Sequence, residues 1–125
     1  MENLKEETLL VLRQNGKTFD DVVAVMGEDF QITKEDFLEL ADTLYDDGYG
    51  SSKVATDLCI VGEDFWLERY EYDGSEWWEF KAMPRYEHLP FKKIHALTVY
   101  QSNEFFDNNY VGWEKLSELN QQEEY

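Results

Sequence analysis

The sequence predicts an α+β protein: an N-terminal three-helix segment, an antiparallel β-meander of three to four strands, and a C-terminal helix. Three observations carry that expectation. Residues 1–50 place a capping residue ahead of helically spaced apolar residues three times over. Two aromatic, alternating runs flank Asp73-Gly74, a strong hairpin signal. Residues 113–120, "WEKLSELN", restore a helical pattern near the end.

The first helix opens at Asn3, with Glu6 three residues on, carries Leu4, Leu9, Val11 and Leu12, and closes near Gln14 before Asn15-Gly16. Thr18 and Asp21 cap a short second helix, whose Phe19, Val22, Val23 and Met26 run up to Gly27. Thr33 caps the third helix, with Asp36 at its third position, and Gly48 ends it.

The third helix, "KEDFLELADTLYDD" (34–47), has an unusual charge pattern. With Glu35 set at zero, Glu39 falls at about 40°, Asp42 at about −20° and Asp46 at about 20°. Phe37, Leu40, Ala41 and Leu44 gather on the opposite side as the expected packing face. The four carboxylates are spaced about 6, 4.5 and 6 Å along the axis. No lysine or arginine relieves the row, and each like-charged i,i+4 pair costs roughly 0.2–0.5 kcal/mol. Asp46 and Asp47 also meet the unfavourable end of the helix dipole.

Residues 53–61, "KVATDLCIV", read as the first strand, and "GED" (62–64) as a short connection. "FWLERYEY" and "EWWEFKAM" then form the hairpin. A two-residue loop pairs Leu67 with Phe80, Arg69 with Trp78 and Phe65 with Ala82. Phe65, Leu67, Trp78 and Phe80 then share a face to be buried. Trp66, Glu68, Tyr70, Trp77, Glu79 and Lys81 share the other. A three-residue loop would mix the two sets. Pro84 and Pro90 bracket a loop, "IHALTVYQ" (94–101) is a candidate fourth strand, "SNEFFDNN" is turn-rich and "QQEEY" is a frayed end.

The 125 residues suffice for a single domain, with a helical part over 1–50, a sheet over 51–101, and a turn and helix over 102–125. No apolar run spans a bilayer, no signal pattern opens the chain, and one cysteine forms no internal disulfide, so a cytoplasmic setting is expected. The net charge is −17, densest over residues 1–50, where 13 acidic side chains face 4 basic ones. Such a field repels nucleic acid and anionic membranes and attracts basic surfaces.

That charge weighs on the chemistry the motifs could offer. Helices followed by a hairpin also match a winged helix, but the helix that would enter the groove is the acidic one. Glu79 and Lys81, with Asp57, Asp64 or Asp73, form a loose metal-dependent nuclease pattern. His88, His95 and Cys59 make no zinc set, the glycines of "DDGYGSS" lack a phosphate-loop lysine, and no cofactor is expected. The aromatic hairpin face lacks the basic neighbours of a base-stacking surface. It reads either as a second packed face, for example against the C-terminal helix, or as a protein-binding patch anchored by Trp and Tyr.

The acidic row admits a plain solvated reading and a sharper one. Phosphates along one DNA strand lie roughly 6–7 Å apart, which carboxylates at helical spacing approximate. A protein bearing such a row could occupy another protein's nucleic-acid channel. The candidate partner-binding residues are therefore Glu35, Glu39, Asp42 and Asp46, together with Trp66, Glu68, Tyr70, Trp77 and Glu79.

The stretch "DLCIVGEDFWLERYEYDGSEWWEFK" (57–81), with "YDDGYG" and "VATDL" before it, resembles small acidic proteins of phages and mobile elements of Gram-positive bacteria. Some proteins of that kind look like anti-CRISPR inhibitors of type II RNA-guided DNA nucleases. The resemblance covers roughly Tyr45 to Pro84 and carries no catalytic residue. It implies a partner: a host RNA-guided nuclease or its guide complex, whose basic channels hold RNA and DNA. The expected function is inhibition through an acidic, nucleic-acid-mimicking surface, without catalysis or direct nucleic-acid binding. The alternatives are the metal-dependent nuclease and an acidic adaptor for a basic mobile-element protein.

Overall fold

The computed structural model describes residues 1–101 and 112–121. The chain divides at Pro84 into two compact units, Met1–Pro84 and Arg85–Tyr125. In the first, β1 (Glu2–Asn3) leads into helix α1 (Leu4–Gln14), followed by strands β2 (Val22–Met26) and β3 (Gln31–Ile32). Helix α2 (Lys34–Ala41) and strand β4 (Leu44–Tyr45) come next, then β5 (Cys59–Gly62), β6 (Phe65–Tyr72) and β7 (Ser75–Ala82).

The predicted α1 is present as read: Asn3 Oδ1 accepts from Glu6 N at 3.0 Å, and Gly16 follows the helix with φ of 73°. The predicted second helix is absent. Thr18 and Asp21 close a 3-10 turn, Phe19–Asp21, and the chain then enters β2. Three valines in "VVAVM" favour extended backbone, and pairing with β3 and β5 supplies the hydrogen bonds a lone short helix would lack. The N-terminal region is thus not a three-helix segment, and a winged-helix order does not arise.

β2 instead extends the meander into a five-stranded antiparallel sheet ordered β3-β2-β5-β6-β7. The β6–β7 register is the predicted one, pairing Phe65 with Ala82, Leu67 with Phe80 and Arg69 with Trp78. Asp73 and Gly74 turn the hairpin with φ of 51° and 87°, as a primed two-residue turn requires. β5 is shorter than expected, since strand structure begins only at Cys59. Asp57, just before it, accepts from Glu28 N at 2.7 Å and ties the approach to β5 to the β2–β3 turn. Gly62 ends β5 under Phe65, whose ring would lie 2.0 Å from any Cβ there.

The inner face of the sheet buries Val22, Val25, Ile60, Phe65, Leu67 and Trp78 against Leu4, Leu12, Phe37 and Ala41 of the two helices. Apolar burial here drives folding at about 25 cal/mol per Å². Trp78 Nε1 donates to Thr8 Oγ1 at 2.9 Å, a buried polar contact that helps pin α1 to the sheet.

In the second unit a short helix, α3 (Leu116–Leu119), forms where a C-terminal helix was predicted. No strand forms over 94–101. There Asn120 closes the backbone instead: its Oδ1 accepts from His95 N and Ala96 N, both at 2.9 Å, and its Nδ2 donates to Ala96 O at 2.9 Å. The run "SNEFFDNN" and the last four residues of "QQEEY" lie outside the described residues.

Candidate functional site

α2 begins as its sequence dictates, with Thr33 Oγ1 accepting from Asp36 N at 3.0 Å. It ends at Ala41, well short of the expected stop at Gly48. Asp42 leaves the helical region with ψ of 69°, and Leu44–Tyr45 pair with Glu2–Asn3 as β4 and β1. That pairing, with the poor fit of Asp46 and Asp47 to a helix C-terminus, outweighs further helix. The expected row of four therefore does not stand on one helix. Glu35 and Glu39 lie on α2 and Asp42 at its C-cap, while Asp46 lies beyond β4 and accepts from Gly48 N.

The packed face of α2 is also turned from the expected one. Phe37 and Ala41 are buried and Leu38 packs on the core, but Leu40 and Leu44 are 72% and 61% exposed. The buried arc is rotated by about 60° toward Leu38. That rotation brings Asp36 outward with Glu35 and Glu39, all three exposed. Sequence reasoning used Asp36 only for capping. The lysine of α2 does not neutralise the group: Lys34 Nζ donates to Val22 O at 2.7 Å and lies over the Phe19 ring. Asp42 Oδ1 accepts from Asn3 Nδ2 at 3.0 Å, and Asn3 also caps α1, which ties the end of α2 to the start of α1. Glu35, Asp36 and Glu39 have no side-chain ion pair among the described residues.

The second set of candidates lies on the outer face of the hairpin, on the other side of the sheet from α2. Trp66, Glu68, Trp77 and Glu79 are half-buried and Tyr70 is 45% exposed. Glu68 stands opposite Glu79 across the strands, an arrangement that ordinarily repels. Each carboxylate is met by an indole two residues back: Trp66 Nε1 donates to Glu68 at 2.5 Å and Trp77 Nε1 to Glu79 at 2.9 Å. Lys81 Nζ lies 5.3 Å from the centroid of the Tyr70 ring. Cys59 neighbours Glu68 on this face, half-buried, and burial first and that carboxylate second push its thiol up. The acidic helix and the aromatic face thus form two separate surfaces.

The nuclease-like residues do not assemble. Asp57 serves the β2–β3 turn, Asp64 pairs with Lys17 at 3.5 Å, and Asp73 sits in the hairpin turn. Among the described residues no group of three His, Cys, Asp or Glu side chains is placed to hold a metal ion.

Sequence reasoning missed a buried charge cluster. Arg69 Nη1 donates to Glu7 at 2.9 Å, and Nη2 donates to Glu76 at 2.8 Å and to Tyr45 Oη at 3.2 Å. The Tyr45 hydroxyl donates to Glu7, and burial foremost, then this carboxylate, raises its pKa. The guanidinium lies over the Trp78 ring at 4.7 Å. Glu76 also accepts from Lys53 N and Val54 N, so it holds the 47–54 loop against the hairpin. Burial works to raise the Glu76 pKa, but these donors and Arg69 outweigh it and hold the carboxyl below its ordinary value. The available signal was alternation, which sets Arg69 and Glu76 on the packed face, where a charge must find a partner.

Comparison with protein-family models, with curated proteins and with solved structures finds no match in any of the three. Among the described residues no helix is long and apolar enough to cross a membrane.

Proposed function

We propose that this chain is a non-enzymatic binding protein whose acidic surface occupies a basic, nucleic-acid-binding site of another protein in the cytoplasm. The observation that supports it most is the outward cluster Glu35, Asp36 and Glu39, continued by Asp42, beside a lysine turned inward to Val22. An acidic cluster kept free of internal cations costs helix stability through repulsion and keeps its charge for a partner. The net charge of −17 adds long-range steering toward a basic surface. The acid carrier is a compact cluster on α2, not a four-residue row, so the mimicry proposed is of a short stretch of phosphates.

The partner class remains the one the hairpin resemblance implies: a type II RNA-guided DNA nuclease, with interference at guide RNA or target DNA binding. Pull-down of such a nuclease with and without its guide RNA tests this. Capture of the guide-free enzyme, lost when guide is added first, is the expected result. Equal capture in both states places binding away from the nucleic-acid channel, and capture of neither removes this partner.

A further inference from the structure

β7 forms one edge of the five-stranded sheet. Along an antiparallel edge, alternate backbone amides point toward the neighbouring strand and away from the sheet. Two hydrogen bonds fix which are which. Met83 N donates to Asp64 O at 2.7 Å, on the β6 side, whereas Glu76 N donates to Asp47 O at 3.0 Å, on the outer side. The even-numbered amides therefore face outward. Glu76 is occupied by Asp47, and Pro84 has no amide hydrogen. Between these limits lie the outward amides of Trp78, Phe80 and Ala82, without a backbone acceptor among the described residues.

That window is symmetric about Phe80. We propose that two copies of this chain associate by antiparallel pairing of their β7 edges, centred on Phe80, into one continuous sheet. In that register Trp78 faces Ala82 of the partner subunit, and Phe80 faces its own counterpart. All three outward amides on each copy gain acceptors. Glu79 stands opposite Lys81 of the partner subunit, and Lys81 opposite Glu79 of the partner subunit, giving two cross-strand charge pairs. Centring the pair one residue either way sets Glu79 against Glu79 or Lys81 against Lys81. A lysine ordinarily protects an edge from pairing, but Glu79 two residues away turns it into a selector for one register. Trp77 meets Met83 of the partner subunit on the outer face, where Met83 is 58% exposed. The pair is isologous and closes on itself, so it yields a dimer and no fibre.

Each copy carries −17, so the two repel at long range and screening strengthens their association. The salt dependence is opposite in sign to that of binding to a basic partner. Sedimentation equilibrium of the full chain tests the proposal, with circular dichroism confirming the fold of every variant. The wild type dimerises, more tightly at about 0.5 M salt than at about 0.05 M, where the Debye length is longer. Lys81→Glu weakens the dimer about tenfold by setting like charges opposite each other. The swap Glu79→Lys with Lys81→Glu restores it, and Ala82→Pro, which removes an outward amide, abolishes it. A wild type that stays monomeric at high salt overturns the proposal, even if its edge captures a strand of another protein. So does a dimer indifferent to both Lys81→Glu and Ala82→Pro, or one that the charge swap does not restore.

Discussion

Two groups of carboxylates in the first unit play opposite parts. Glu7 and Glu76 surround Arg69 with side chains 12%, 4% and 4% exposed, and their charge is spent on holding α1, the hairpin and the 47–54 loop together. Glu35, Asp36 and Glu39 are exposed on α2 and form no ion pair among the described residues. Desolvation separates the two. A buried carboxylate without a partner costs several kcal/mol, and each inner carboxylate is met by Arg69. An exposed one loses little by standing alone, so the outer set is free to serve binding.

Mutations that swap these environments break the comparison most sharply. Arg69→Ala leaves Glu7 and Glu76 in the interior without their cation and destabilises by about 3–5 kcal/mol, measured as urea unfolding followed by tryptophan fluorescence. Thr8→Val removes the acceptor of the Trp78 indole, fully buried at Thr8, and costs about 1–3 kcal/mol in the same assay.

Acid acts on the buried cluster through Glu76. The Glu76 carboxyl titrates below its ordinary value of 4.5 in the folded state, so the unfolded chain binds its proton first as pH falls. Its stabilisation is complete well above 4.5 and disappears as pH drops through the lowered folded value. Unfolding free energy measured against pH therefore falls on the acid side of 4.5, and Glu76→Gln flattens that part of the curve.

The smallest effect on stability falls on α2, with the opposite sign. Glu39→Lys replaces an i,i+4 repulsion with Glu35 by an attraction and puts a cation near the helix C-terminus. It stabilises by about 0.5 kcal/mol while weakening binding to a basic partner. A destabilised Glu39→Lys would mean that Glu39 is structurally engaged.

Local rules made much of this legible. The cap at Asn3, the cap at Thr33 and the β6–β7 register follow from short-range chemistry and are found as read. β2 was misread because Phe19, Val22, Val23 and Met26 satisfy helical spacing while their β-branched neighbours favour strand; the deciding partner, β5, is far along the chain. The early end of α2 rests on an equally distant pairing of Leu44–Tyr45 with Glu2–Asn3. The same early end takes Asp46 out of the acidic row, to which it belonged only if the helix ran on. Arg69 was overlooked although strand alternation already placed it inside.

Association with a guide-free type II RNA-guided nuclease, titrated with salt, tests the central claim most directly. Wild type should bind, lose affinity as salt rises, and lose it altogether in a folded Glu35→Lys, Glu39→Lys, Asp42→Lys variant. Binding that ignores both salt and this charge reversal would contradict it.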